Sequence, residues 1–124
     1  MKYNFKLDGE VPAKKNSRVV LKNGKNIPSK NYQEWHKVAY ASLFCQRIKQ
    51  KIKKPVSSPV SLCIKFIHGD RRRRDSDNGL SSILDTLVDA GILEDDKWEI
   101  VRNVILENEY KENAPGVQIT IIEL

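Results

Sequence analysis

The sequence predicts a small α+β fold, a single domain over residues 1–124 with a mixed or antiparallel sheet and two main helices. Three observations predict it. A chain of 124 residues has length for one hydrophobic core. Apolar and polar residues alternate in several short segments, as in half-buried strands. Two longer segments repeat apolar residues at helical spacing. No apolar run approaches the roughly 18 residues of a membrane span, so we expect no membrane association.

The predicted strands lie where side chains alternate. Tyr3, Phe5 and Leu7 alternate with polar neighbours and predict a first strand, which ends at the Asp8-Gly9 turn. The Asn23-Gly24 turn predicts a basic hairpin. Further strands are expected in residues 18–22, 60–66, 98–106 and 117–121.

Two helices follow from apolar spacing and from end signals. The first is expected to begin after Pro28, with Ser29 or Asn31 as its N-cap. The second is expected to end at Gly91 in a left-handed cap. The first helix is predicted to bury Val38, Ala41, Phe44, Cys45, Ile48 and Ile52, and the second Leu80, Ile83, Leu84, Leu87 and Val88.

Charge is distributed unevenly along the chain. Residues 1–54 hold 14 Lys and Arg against 3 acids, a net charge of +11, whereas residues 55–124 have a net charge of −5. A basic half indicates a polyanionic partner, because cations that neutralise phosphates release condensed counterions. The carboxylates of the other half would repel phosphates unless a metal ion lies between them. Two solvated surfaces are the alternative interpretation.

Four aspartates form the candidate site. Asp75 and Asp77 precede the second predicted helix, and Asp95 and Asp96 follow it. Carboxylate oxygens are the ligands that Mg²⁺ and Mn²⁺ prefer, and such an ion can activate water to cleave a phosphodiester. A shared site requires the chain after Gly91 to double back. The alternatives are an N-cap role for Asp77, an arginine partner for Asp75 and an ordinary turn at Asp95-Asp96. No phosphate-binding glycine motif is present, so no nucleotide cofactor is expected.

Several motifs together resemble the RusA family of Holliday-junction resolvases, the crossover junction endodeoxyribonucleases. They are the run Asp70 to Asn78 (DRRRRDSDN), Leu84-Asp85-Thr86-Leu87, Ala90-Gly91-Ile92 and the Asp95-Asp96 turn, with residues 12–17 and 28–32 similar to phage-borne members. The resemblance implies catalytic acids at Asp75, Asp77 and Asp96, and metal ligands at these three and Asp95. It also implies a RusA-like homodimer that uses Mg²⁺, with Mn²⁺ as a substitute, to make paired nicks in four-way DNA junctions. Such a protein is expected in the cytoplasm, encoded by a bacterium or a phage.

DNA contacts are expected from the basic side chains near these motifs. The predicted phosphate contacts are Lys14, Lys15, Arg18, Arg71, Arg72, Arg73 and Arg74. One position departs from the family pattern: Ser81 stands where a lysine is usual, four residues after Asp77 and, if both were helical, on the same face. A catalytically weak or inactive protein that binds junction or duplex DNA is therefore the alternative function. A small basic protein with a protein partner is the third.

Overall fold

The structure is a computed structural model that describes residues 1–13 and 18–124. Its elements, in chain order, are β1 (Lys2–Asp8), β2 (Arg18–Val20), β3 (Asn26–Pro28), α1 (Lys30–Lys49), β4 (Val60–His68), α2 (Leu80–Asp89), β5 (Val101–Tyr110) and β6 (Gly116–Glu123). The predicted α+β class with two main helices and a mixed sheet is confirmed. The strand predicted from residue 98 begins only at Val101, because residues 98–100 form a turn. In the described part of the chain, no helix is long and apolar enough to cross a bilayer.

The main sheet has four strands in the order β1-β6-β4-β5, and β2 pairs with β3 in a separate hairpin. β6 runs antiparallel to both of its neighbours, whereas β4 and β5 are parallel. A parallel pair needs a crossover connection, and α2 lies in that connection. The crossover matters for the site, because the segment before α2 leaves the carboxyl end of β4 and the segment after it enters the amino end of β5.

One hydrophobic core joins the sheet to both helices. β4 buries every second side chain from Val60 to Phe66, as its alternation predicts. Leu43 of α1 and Ile83 and Leu87 of α2 are fully buried in the same cluster. His36 of α1 also contacts Asp89 at 2.8 Å, which ties the two helices together at the surface.

The predicted buried stripe of α1 is wrong. Val38 and Ile48 are 71% and 59% exposed, and Ala41, Phe44 and Cys45 are also exposed. The helix instead buries Tyr32, Ala39 and Leu43. Only Ile52, which lies beyond the end of the helix, is buried as expected.

The physical reason is that polar residues of α1 face the protein. The Gln46 amide donates to Lys6 O at 2.7 Å and accepts from Lys6 N at 3.0 Å. Gln50 makes the same pair of contacts with Asn4, at 2.8 and 3.2 Å. These amides satisfy the outer edge of β1, which would otherwise expose unpaired main-chain groups. Helical spacing of apolar residues cannot reveal a face that is occupied by such amides.

The ends of α1 agree with the sequence more closely. Ser29 is the N-cap, and its hydroxyl accepts from Tyr32 N at 3.2 Å. Arg47 and Lys49 lie in the last turn, where cations stabilise the negative end of the helix dipole. The predicted glycine after α2 is confirmed too, since Gly91 has φ +75°.

Candidate active site and nucleic-acid interface

Asp75 and Asp77 lie in the turn between β4 and α2. Asp75 O accepts from Asn78 N at 3.0 Å, and Asp77 O accepts from Leu80 N at 3.1 Å, so the main chain turns tightly around them. Both side chains are exposed. Within residues 1–13 and 18–124, neither carboxylate has a hydrogen bond or an ion pair. As far as the described side chains go, both acids are therefore available to bind an external ligand.

The structural alternatives for these two aspartates are not realised. α2 begins with Gly79 as its N-cap, at φ 92°, and no side chain caps it. A Cβ at this position would lie 3.0 Å from Val11 and 3.3 Å from Phe66, so a close approach as well as the positive φ requires glycine. Asp77 is therefore not the N-cap. No arginine whose side chain the structure describes pairs with Asp75.

A hydrogen-bond network holds this acidic turn to the sheet. Asn108 of β5 donates through Nδ2 to Ser76 O at 3.0 Å, and Ser76 stands between the two aspartates. Asn108 Oδ1 lies 2.8 Å from His68 Nε2, and the other ring nitrogen of His68 lies 2.5 Å from Glu10 Oε1. Three segments that are distant in sequence thus meet beneath the turn. Sequence analysis missed Glu10 and Asn108, because no local motif signals contacts over 58 and 40 residues.

The four arginines that precede the turn have three kinds of surroundings. Arg74 is engaged inside the protein: its side chain is 13% exposed, Nε lies 3.1 Å from Glu10 Oε1 and Nη2 lies 2.9 Å from Asp70 Oδ1. The backbone N–H of Arg72 and the Arg74 guanidinium lower the pKa of Asp70. The guanidinium of Arg71 lies over the ring of Tyr110, 4.2 Å from its centroid. The side chains of Arg72 and Arg73 are exposed and have no ion pair with any described residue.

Asp95 and Asp96 lie in the turn after α2, and both are exposed. Asp96 N donates to Asp95 Oδ1 at 2.7 Å. Partial burial raises the pKa of Asp96, and the neighbouring carboxylates of Asp95 and Asp85 raise it further. Repulsion among these acids is what a bound cation would relieve. Asp85 is the third acid near this turn, and sequence analysis gave it no role at the site.

The two acidic turns lie at opposite ends of the β4–β5 pair. Val60 pairs with Val101 at one end and His68 with Tyr110 at the other. The Asp75–Asp77 turn follows the His68 end, whereas the Asp95–Asp96 turn leads into the Val101 end. α2 lies between them, and its 10 residues rise about 15 Å. Accordingly, no group of three or more His, Cys, Asp or Glu side chains among the described residues is placed to hold a metal ion. One chain does not bring Asp96 together with Asp75 and Asp77 in such a group.

Two cavities meet at the first acidic turn. One of about 650 Å³ is lined by Glu10, Pro12, Asn31 and Asp75 among others. The second, of about 440 Å³, lies between the arginines and the end of β5. Asp75, Arg72 and Arg74 line both cavities. The acidic turn is therefore bordered on both sides by open space that arginines and acids line together.

A comparison with protein families shows which family the chain belongs to. A model of the endodeoxyribonuclease RusA family matches residues 8–122 of the 124-residue chain. The chain belongs to the RusA endodeoxyribonuclease family. This family is one of nucleases, which agrees with the exposed carboxylates and the arginines at the acidic turn. A comparison with curated protein sequences gives no match to this chain.

The remaining residues predicted from the RusA resemblance are placed as follows. Arg18 is the first residue of β2. Lys14 and Lys15 lie outside the described residues. Ser81 is the second residue of α2, but Asp77 precedes the helix, so the expectation that the two share a helix face is wrong. Gly79, with its left-handed backbone, breaks the helical spacing between them.

Proposed function

We propose that this chain is a homodimeric, Mg²⁺-dependent nuclease that resolves four-way (Holliday) DNA junctions by paired nicks. The observation that carries the proposal is the acidic turn of a RusA-family chain. Asp75 and Asp77 are exposed and have no partner among the side chains that the structure describes. Asp75 lines two open cavities together with Arg72 and Arg74. Carboxylates kept free beside guanidinium groups suit a site for a metal ion and a phosphate.

The metal ligands we propose are Asp75, Asp77 and Asp96, with Asp95 beside them. Their chemistry fits Mg²⁺, because all supply hard carboxylate oxygens, and Mn²⁺ takes the same ligands. The raised pKa of Asp96 is consistent with an acid that a cation would stabilise in its ionised form. When bound, the ion supplies an activated water and neutralises charge that develops on the phosphate.

The protein's own groups orient the DNA and the acids. Arg72 and Arg73, which have no internal ion pair among the described residues, are proposed to bind phosphates of the junction arms without reading bases. Asn108 fixes the carbonyl of Ser76 and thereby the turn that carries both aspartates. Hydrolysis would leave a 5′-phosphate and a 3′-hydroxyl on each cut strand.

A second copy of the chain is proposed to complete each site. Support comes from the topology: Asp96 lies at the far end of the β4–β5 pair from Asp75 and Asp77 in the same chain. In a two-fold dimer, Asp96 of the partner subunit can approach the first acidic turn, and symmetry then creates two equal sites. Two sites of matching geometry suit two nicks in strands of matching polarity.

Cleavage of a labelled four-way junction tests this function. Wild-type protein with Mg²⁺ is expected to nick two opposite strands, whereas Asp77→Asn is expected to bind the junction and leave it intact. Glu112→Gln, which removes an exposed acid from the β5–β6 turn, is the matched control and should cleave normally. Full cleavage by Asp77→Asn would contradict the metal-site assignment.

The second candidate function is junction binding without cleavage. Ser81, in the first turn of α2, favours it, because the usual family lysine is absent near the acidic turn. The same assay decides between the two. Binding with no product in either Mg²⁺ or Mn²⁺, together with cleavage gained by Ser81→Lys, would establish this alternative.

A further inference from the structure

The second cavity has the composition of a nucleobase site. It measures about 440 Å³, within the range of roughly 300–1,000 Å³ typical of ligand pockets, and Tyr110, Arg71, Arg72 and Asp75 lie in its wall. Tyr110 is 43% exposed although it is a large aromatic residue at the end of a strand. One groove therefore combines an accessible ring, three guanidinium groups and three acids, of which Asp75 is a proposed metal ligand.

The ring and the guanidinium of Arg71 form a stacked pair. The guanidinium carbon lies 4.2 Å from the ring centroid, so the cation lies over the ring. Arg71 has no ion pair with any described residue. A flat, cationic and aromatic surface of this kind matches a nucleobase on a phosphate backbone, because the base stacks while the cations attract the phosphates.

The surroundings of this pair are held in place by main-chain and side-chain contacts. Lys111 directly follows Tyr110 in the sequence, and its backbone N–H donates to His68 O at 2.9 Å. Asn108 connects His68 to Ser76 in the acidic turn. The stacking surface and the turn carrying Asp75 are thus connected through one network. A base bound at Tyr110 would hold its own phosphate beside that turn.

We propose that Tyr110 and Arg71 stack an unpaired base of the branched DNA next to the phosphate to be cut. This inference rests on the proposed function and specifies how the branch point is recognised. An unstacked base is available at low cost where strands exchange, but within a continuous duplex it must first be unpaired. The pair would therefore favour branched DNA over linear duplex.

Binding measurements in EDTA test the inference without cleavage. Tyr110→Ala is expected to weaken binding to a four-way junction by roughly five- to 100-fold and to leave binding to a linear duplex within about twofold. Tyr110→Phe, which keeps the ring, should bind the junction like the wild type. With 5-iodouracil at the crossover, irradiation should crosslink the base to the peptide that contains Tyr110.

Three results would overturn the stacking role. They are unchanged junction binding by Tyr110→Ala, an equal loss for junction and duplex, or a loss that accompanies dissociation of a dimer in sedimentation. The last would place Tyr110 in a contact between copies. Failure of the proposed function is recognised separately: the wild-type protein would then bind no junction at all, or bind it without cutting it in Mg²⁺.

Discussion

Replacing Arg74 by methionine tests whether this arginine stabilises the fold, whereas Arg72 and Arg73 are proposed to bind DNA. The Arg74 side chain is 13% exposed, and its Nε lies 3.1 Å from Oε1 of Glu10, whose side chain is 31% exposed. Methionine keeps much of the side-chain volume but removes the charge. A hydrogen bond between charged groups contributes roughly 1.5–3 kcal/mol, and partial exposure reduces that value. We therefore expect a loss of about 2 kcal/mol, or roughly 6–10 °C in Tm for a domain of this size.

Arg73→Met is the matched control for this prediction. Arg73 is exposed and has no ion pair in the described part of the chain, so its replacement should change stability by less than about 0.5 kcal/mol. The substitution is expected to weaken DNA binding instead, and the slope of log affinity against log salt concentration should fall by about one. Thermal unfolding and salt-dependent binding of a four-way junction measure both. Equal losses of Tm in the two variants, or equal changes of the salt slope, would refute the assignment of Arg74 to stability and of Arg73 to DNA binding.

Three further predictions concern the acids and the sheet edge. Asp96 should hold its proton to higher pH than an ordinary aspartate. Because the folded state then binds this proton more tightly than the unfolded state, the free energy of unfolding should rise as the pH falls through the raised pKa. Asp95→Asn should lower the pKa of Asp96, which carbon NMR of the carboxyl measures. Asn108→Asp keeps an acceptor for the histidine but loses the donor to Ser76, so cleavage should fall more than junction binding in EDTA does. Unchanged cleavage would show that the network does not position the turn. Gln50→Ala should lower the free energy of unfolding, measured in urea, by about 1 kcal/mol, because it exposes the edge of β1. An unchanged free energy of unfolding would mean that water replaces the amide.

The strands and the second helix could be predicted because local pattern determines them. β4 alternates between core and surface. Of the predicted stripe of α2, Ile83 and Leu87 are fully buried, and Leu80, Leu84 and Val88 are half-buried against the core. The buried Ser82 and Thr86 were not predicted. For α1, the local pattern predicts the helix and its N-cap but not its buried face. The side that faces the protein carries Gln46 and the C-cap Gln50, whose amides bond to the edge of β1, and no spacing rule reports such a contact.

The sequence predicts which acids form the candidate site but not how they are arranged, and their roles remain a prediction. The acids Asp75 and Asp77 carry a recognisable motif, and the structure leaves both free of partners among the described residues. The position of Asp96 depends on the parallel pairing of β4 with β5, which is a long-range property. The role of Arg74 depends on Glu10, which lies 64 positions earlier in the sequence. Both facts follow from tertiary contacts that local sequence does not encode.

Mixing two inactive variants tests most directly whether each metal site is completed by a second copy. Asp77→Asn and Asp96→Asn are each expected to be inactive alone. In a mixed dimer, one site carries both substitutions, while the other combines an intact Asp77 with an intact Asp96 from the other chain. We therefore predict that the mixture regains single nicks in a four-way junction with Mg²⁺. A mixture that forms dimers of both variants, shown by native mass spectrometry, and yet stays inactive would contradict the shared site.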